Sequence, residues 1–148
     1  MEISVAEALQ KAVSSHEAGA LQEAVDFYRA ILKVQPNHPD ANHNLGVLAM
    51  SLGRTSEALP LLKVALESNS RIEQFWLSYL SALVQEREFV LAEKILLDGR
   101  QAGVAPEKLQ AFWAQTNAVQ QLGVNNVTET NELSAEHKKP AERERQNT

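Results

Sequence analysis

The side chains best suited to acid–base or metal chemistry in this chain are four histidines, His16, His38, His43 and His137. No two of them stand four apart with carboxylates alongside, the spacing a helical metal site needs, so no metal is expected. Cysteine is absent. That removes thiolate metal sites, a cysteine nucleophile and disulfides, and with them the class of disulfide-stapled secreted scaffolds. A nucleophilic serine would be announced by G-x-S-x-G, a phosphate cradle by a P-loop or G-x-G-x-x-G, and a zinc protease by H-E-x-x-H. None of these occurs. The residues therefore imply no enzyme, no catalytic residue and no cofactor within these 148 positions, and binding is the chemistry left to look for.

Charge narrows the kind of binding. Lys and Arg number 14 against 19 Asp and Glu, a net charge of -5, so no basic excess is available to follow a phosphate backbone and no nucleic acid is expected. No stretch approaches the roughly 20 apolar residues of a membrane span. The start, MEISVAEALQKAV, lacks the basic region and apolar run of a secretory signal. A cytoplasmic protein without membrane contact is the expectation. Asn126-Val127-Thr128 spells a glycosylation sequon, but without a signal peptide the modifying enzyme would not meet it. With 44% apolar residues the chain supplies one core and leaves no room for a second domain.

The elements that would carry a binding surface are helical. Six Gly and five Pro in a chain rich in Ala, Leu, Gln and Glu predict helix nearly everywhere up to about Leu122. Self-similarity appears at a spacing of 34: Gly19 and Gly53; Ala24, Ala58 and Ala92; Tyr28, Leu62 and Leu96. In the same register lie Leu45 with Gly46, Trp76 with Tyr79, Ala65, and Pro36 closing the first copy. Over one such period this is the pattern W-x2-L-G-x2-Y, then A-x3-F, then P, and from about Val5 to Val104 the chain resembles the tetratricopeptide-repeat family. No copy is complete: Ala8, Lys11 and Ala12 stand for W, L and G in the first, and Leu80 replaces the Gly of the third.

The resemblance implies an all-α fold, a right-handed superhelical solenoid of three helix-turn-helix repeats over about 4–36, 37–70 and 71–104 within residues 1–104. A capping helix over 105–122 and a disordered charged tail or linker over 123–148 complete the expected organisation. Physical chemistry agrees. Each copy holds two amphipathic segments of about 14 residues, too short to be stable alone in water, so they must pack on one another. Short turns at Gly19-Ala20, Gly53-Arg54 and Arg87-Glu88 divide them, and small residues at Ala24, Gly46, Ala58 and Ala92 allow close helix approach.

Local signals mark the ends. Ser4 with Glu7 fits a capping box, and Asn37-His38-Pro39-Asp40 breaks the chain with Pro39 suited to a first helical turn. His38-Pro39-Asp40 also spells the tripeptide of J-domain co-chaperones, but no basic helix precedes it and the spacing makes it an inter-repeat turn. Pro60 predicts a bend or a late start in its helix. After Gly103, Pro106 opens a seventh helix with Leu109, Phe112, Trp113 and Thr116 on one stripe. That stripe is expected to cap the third repeat, the alternatives being a degenerate fourth repeat, a homodimer contact or a seam to a downstream domain through Phe112 and Trp113. From Val124 to Thr148 the apolar residues are only Val124, Val127, Leu133, Ala135 and Ala141, and basic and acidic groups interleave in nearly equal numbers. That predicts a solvated linker rather than a nuclear import signal.

In the family this chain resembles, the first helix of each repeat lines a concave groove that holds a protein or peptide ligand. The corresponding positions are Leu9, Gln10, Val13 and Glu17, then His43, Asn44, Val47 and Met50, then Leu77, Ser78, Ser81 and Gln85. The lining is neutral and partly apolar. Relatives that clamp the acidic tails of chaperones use Lys, Asn and Arg, whereas here only Asn44 matches and Leu9, Val13, Gln74 and Ser78 stand at the other clamp positions. In O-linked N-acetylglucosamine transferases an Asn recurs in each repeat; here Gln10, Asn44 and Ser78 hold that register. A carboxamide pairs with both N–H and C=O of a peptide, which favours Asn44 and Gln10 as ligand contacts. The segments AGALQEAVDFYRAILKVQPNHPDANHNLGVLA and QFWLSYLSALVQEREFVLAEKILLDGRQAG are similar to N-terminal repeats of bacterial proteins fused to glycosyltransferase or methyltransferase domains. The expectation is a non-catalytic module that recruits a partner or substrate for a larger bacterial transferase, the alternative being a free-standing adaptor.

Overall fold

The computed structural model describes residues 2–118. The tail and the last residues of the expected cap, 119–148, lie outside the described residues, and so does His137. Among the described residues the regular elements are all helices: α1 Val5–Glu17, α2 Leu21–Val34, α3 Pro39–Ser51, α4 Thr55–Ser68, α5 Glu73–Gln85 and α6 Phe89–Ala102. A seventh, α7, runs over 106–118. First helices begin at residues 5, 39 and 73 and second helices at 21, 55 and 89, so the period of the sequence is also the period of the fold. Each helix packs on the next from α1 to α6, and α3 also meets α5 directly, first helix against first helix. This is the tetratricopeptide-type solenoid that the spacing predicts. None of the described helices is long and apolar enough to cross a membrane.

The same positions do the same work in successive copies. Ala24, Ala58 and Ala92 are wholly buried, as are Tyr28, Leu62 and Leu96. Two apolar clusters result, one around Tyr28 and Leu48 and one around Leu62, Trp76, Leu80 and Leu96, with residues of α4 packing against both. The α3–α4 contact is the tightest. A Cβ added at Gly46 would come within 2.7 Å of the Leu62 side chain, so the glycine is what lets these helices meet.

Turns and caps follow the register as well. A residue in the turn after the first helix of each copy adopts a positive φ: Gly19 at 80°, Gly53 at 75° and Arg87 at 61°. Ser4 caps α1 by accepting from the Glu7 N–H at 3.1 Å, and the His38 Nδ1 caps α3 by accepting from the Ala41 N–H at 3.1 Å, with Pro39 in the first turn. Asn42 donates to the Pro36 carbonyl at 3.0 Å, and one period on Trp76 donates its indole N–H to the Ser70 carbonyl at 2.9 Å. Two unlike side chains thus satisfy the same inter-repeat carbonyl. His38 is therefore a capping residue of the turn.

At Pro60 the late start, one of the two expected outcomes, does not occur. Helix α4 begins at Thr55 without a late start and runs on to Ser68 with Pro60 inside it. The ring sits near the N-terminus of the helix, where it removes a single backbone bond, and the burial of Ala58, Leu62 and Ala65 holds the helix together. Helix α7 follows α5 by about one period, in the place of the first helix of a fourth copy. Leu109 is buried against the Trp76 cluster, with Phe112 and Trp113 packed on its edge, and Thr116 is buried and donates to backbone carbonyls of α7. The Glu73 carboxylate joins α5 to this helix by pairing with Lys108 and accepting from the Ala105 N–H, and those contacts hold its pKa below the ordinary carboxylate value.

Candidate functional site

The side-by-side approach of α3 and α5, continued by α7, creates a hollow of about 310 Å3. Helix α3 contributes Val47 and Met50, α5 contributes Gln74, Leu77, Ser78 and Ser81, and α7 contributes Phe112. Among the described residues no charged side chain lines it. Val47, Met50, Leu77 and Phe112 supply an apolar wall, and the amide and hydroxyls supply a short polar strip on α5.

Five of the twelve groove positions read from the sequence, Val47, Met50, Leu77, Ser78 and Ser81, come together here. His43 and Asn44 stand at its edge through Ser78. The His43 Nε2 lies 2.8 Å from the Ser78 Oγ, its Nδ1 lies 3.2 Å from the Asn44 Oδ1, and its ring stacks on Phe75 with centroids 4.7 Å apart. Burial pushes the His43 pKa below its ordinary value, against the opposing effects of the Asn44 bond and the Asp40 charge, so the ring is neutral at physiological pH.

Several assignments change once these partners are seen. Ser78 is buried, and its hydroxyl already bonds His43 and accepts from the Gln74 Nε2 at 3.2 Å, so it is not an open rung of an amide ladder. The Gln85 Oε1 accepts from Thr55 at 3.1 Å, which engages its carboxamide at the α4–α5 junction. Leu9, Gln10, Val13 and Glu17 lie outside the hollow: Leu9 packs against the core of the first repeats, Val13 is half-buried, and Gln10 and Glu17 are exposed on α1. Asn44 is half-buried beside the Tyr28 hydroxyl, which is itself buried and has no hydrogen-bond partner of good geometry among the described residues.

Phe112 is a groove residue that the sequence assigns only to a cap or an interface. The period contains the clue, because Phe112 stands one period after Ser78, itself one period after Asn44. Gln74 reads in the sequence only as a departure from a clamp, and its role in bonding Ser78 depends on the α5 turn that brings them together. Among the described residues no group of three or more His, Asp or Glu is placed to hold a metal ion.

The comparisons with known proteins bear on the fold. The tetratricopeptide repeat family model matches residues 15–77. No curated protein sequence matches the chain. Among solved structures, the TPR domain of P58(IPK) is similar with a TM-score of 0.77 at 15% identity, over 88% of this chain and 37% of that one. The TPR2B domain of yeast Sti1, in a complex with pHsp70, gives a TM-score of 0.68 at 16% identity, over 77% of this chain and 96% of that one. The type III secretion chaperone SycD of Yersinia enterocolitica, in complex with a peptide of the translocator YopD, gives 0.67 at 15% identity, over 83% of this chain and 99% of that one. At such identities the likeness establishes the fold alone. The chain spans a little over a third of the P58(IPK) TPR domain. The family model matches part of the chain, and the solved structures share its fold.

Proposed function

We propose that this chain is a protein-interaction module that holds an extended, uncharged segment of a partner in the hollow between α3, α5 and α7. The observation that carries this is the lining: four apolar side chains beside an amide and two hydroxyls, with no charge to select an acidic or basic ligand. Domains of the same fold are in complex with pHsp70 in Sti1 and with a YopD peptide in SycD, which supports peptide binding as the use of the groove.

The ligand class is testable directly. Capped, uncharged heptapeptides with two or three apolar residues should bind the purified chain. The HSP90 peptide SRMEEVD, seen with the first TPR of Spaghetti (RPAP3), should bind about tenfold more weakly or not at all, because no Lys or Arg lines the hollow. A Met50→Glu or Leu77→Glu variant that stays helical should lose the uncharged peptides. Tight binding of SRMEEVD with indifference to both variants would refute this use of the groove.

At a finer level we propose that the module recruits a partner or substrate for a larger bacterial transferase, a free-standing adaptor being the second reading. This rests on the similarity of the two repeat segments to transferase-fused repeats. Immunodetection of the natural protein decides it: a species much heavier than 16.4 kDa supports the fused form, and one near 16.4 kDa supports the adaptor.

A further inference from the structure

A second cavity, away from the groove, lies where α2, α3 and α4 meet at the junction of the first and second repeats, and it encloses about 380 Å3. We propose that it is a binding site for a medium-length acyl chain bearing one carboxylate. Small-molecule sites occupy roughly 300–1,000 Å3, so the volume suits such a ligand and is too small for a partner helix. One part of its wall is apolar, with Val25 from α2, Leu45 and Leu48 from α3 and Leu61 from α4, and the rest is polar, with Gln22 beside the charged residues. At the lining stand two guanidinium groups, Arg29 and Arg54, against a single acid, Glu57, and neither arginine takes part in an ion pair among the described residues. Leu52, also in the lining, is 47% exposed and leaves apolar surface open to water.

The repeat itself shows that these lining residues are not required by the fold. One period on, Leu45 becomes Tyr79, Ala49 becomes Leu83 and Leu48 becomes Ala82, all buried, while Leu52 and Arg54 become Glu86 and Glu88. The next junction therefore distributes its bulk differently, and carries acids where the first carries a leucine and an arginine. An apolar void forfeits dispersion contacts and is normally filled. Arg54 is the N-cap residue of α4, which has no side-chain cap hydrogen bond, so the positive end of that helix dipole reinforces its guanidinium group. Hydrocarbon in the void with a carboxylate on Arg29 and Arg54 satisfies both features at once.

Titration of the full chain by calorimetry with hexanoate, octanoate and decanoate, each kept monomeric, tests the proposal, with decylamine and decanol as controls. Decanoate should bind, with Kd falling about fourfold for each added methylene. Decylamine and decanol should both bind about tenfold more weakly than decanoate. Ala49→Leu, which copies the third repeat, should abolish decanoate binding. Arg29→Gln with Arg54→Gln, both exposed positions, should weaken decanoate about tenfold while leaving decanol unchanged, and this variant decides the matter if Ala49→Leu fails to fold. Absence of decanoate binding, equal affinity for decanoate and decylamine, or undiminished affinity in a folded Ala49→Leu chain would overturn it. The groove plays no part in these measurements, so the peptide reading stands or falls separately.

Discussion

The Nε2 of His43 and the hydroxyl of Ser78 are 2.8 Å apart, joining the first helix of the second repeat to the first helix of the third. With the His43 ring stacked on Phe75 and Gln74 donating to the same hydroxyl, the edge of the groove is a bonded network rather than a row of independent side chains. Its polar atoms orient one another, which leaves the apolar residues and Ser81 to meet a ligand.

The network makes stability depend on pH in a defined direction. Burial holds the His43 pKa below its ordinary value of about 6.5. As pH falls through that value the unfolded chain takes up the proton before the folded one, so the stability present above it is lost as pH falls toward the folded pKa. Urea midpoints measured at about pH 7.5 and about pH 5.5 should therefore drop more for the wild type than for His43→Gln. Equal drops would remove His43 from the acid response.

Arg87 occupies a turn position where its counterparts are Gly19 and Gly53, and its φ of 61° is left-handed. A side chain in that region is disfavoured, so Arg87→Gly should raise the unfolding free energy by about 0.5–1 kcal/mol after allowing for the greater freedom of glycine in the unfolded chain. Denaturant unfolding measures this. A loss of stability would mean that the Arg87 side chain makes a contact of greater worth than its backbone cost.

Gly46 should tolerate no side chain. Because even a Cβ would approach Leu62 to 2.7 Å, Gly46→Val should overpack the α3–α4 contact and cost about 1–3 kcal/mol. Ala58→Leu, at a wholly buried position of the same pair, should cost a similar amount. Unchanged melting temperatures in both would contradict the helix register.

Tyr28 presents the opposite case. Its hydroxyl is buried with no hydrogen-bond partner of good geometry among the described residues, and burial raises its pKa against the opposing effect of the neighbouring Asn44. Tyr28→Phe keeps the ring in the core and removes an unsatisfied group, so stability should be unchanged or higher by about 1 kcal/mol. A clear loss in thermal unfolding would show that the hydroxyl has a partner in solution, with the Asn44 amide as the nearest candidate.

Much of the architecture is legible in the residue order because it rests on local rules. The period of 34, the recurrent Ala24, Ala58 and Ala92, and the turn residues Gly19 and Gly53 specify helix lengths, starts and buried faces through propensity and periodicity alone. The groove is legible only as a set of positions. Whether Ser78 is free to meet a ligand depends on His43, 35 residues away, and whether Gln85 is free depends on Thr55, 30 residues away. The entry of Phe112 into the hollow, and the cavity that Ala49 lines at the junction of the first and second repeats, likewise require the helices to be stacked. Repetition in the chain determines which faces are buried, but hydrogen bonds and cavities arise between copies, and only the packed solenoid decides which polar atoms find partners there.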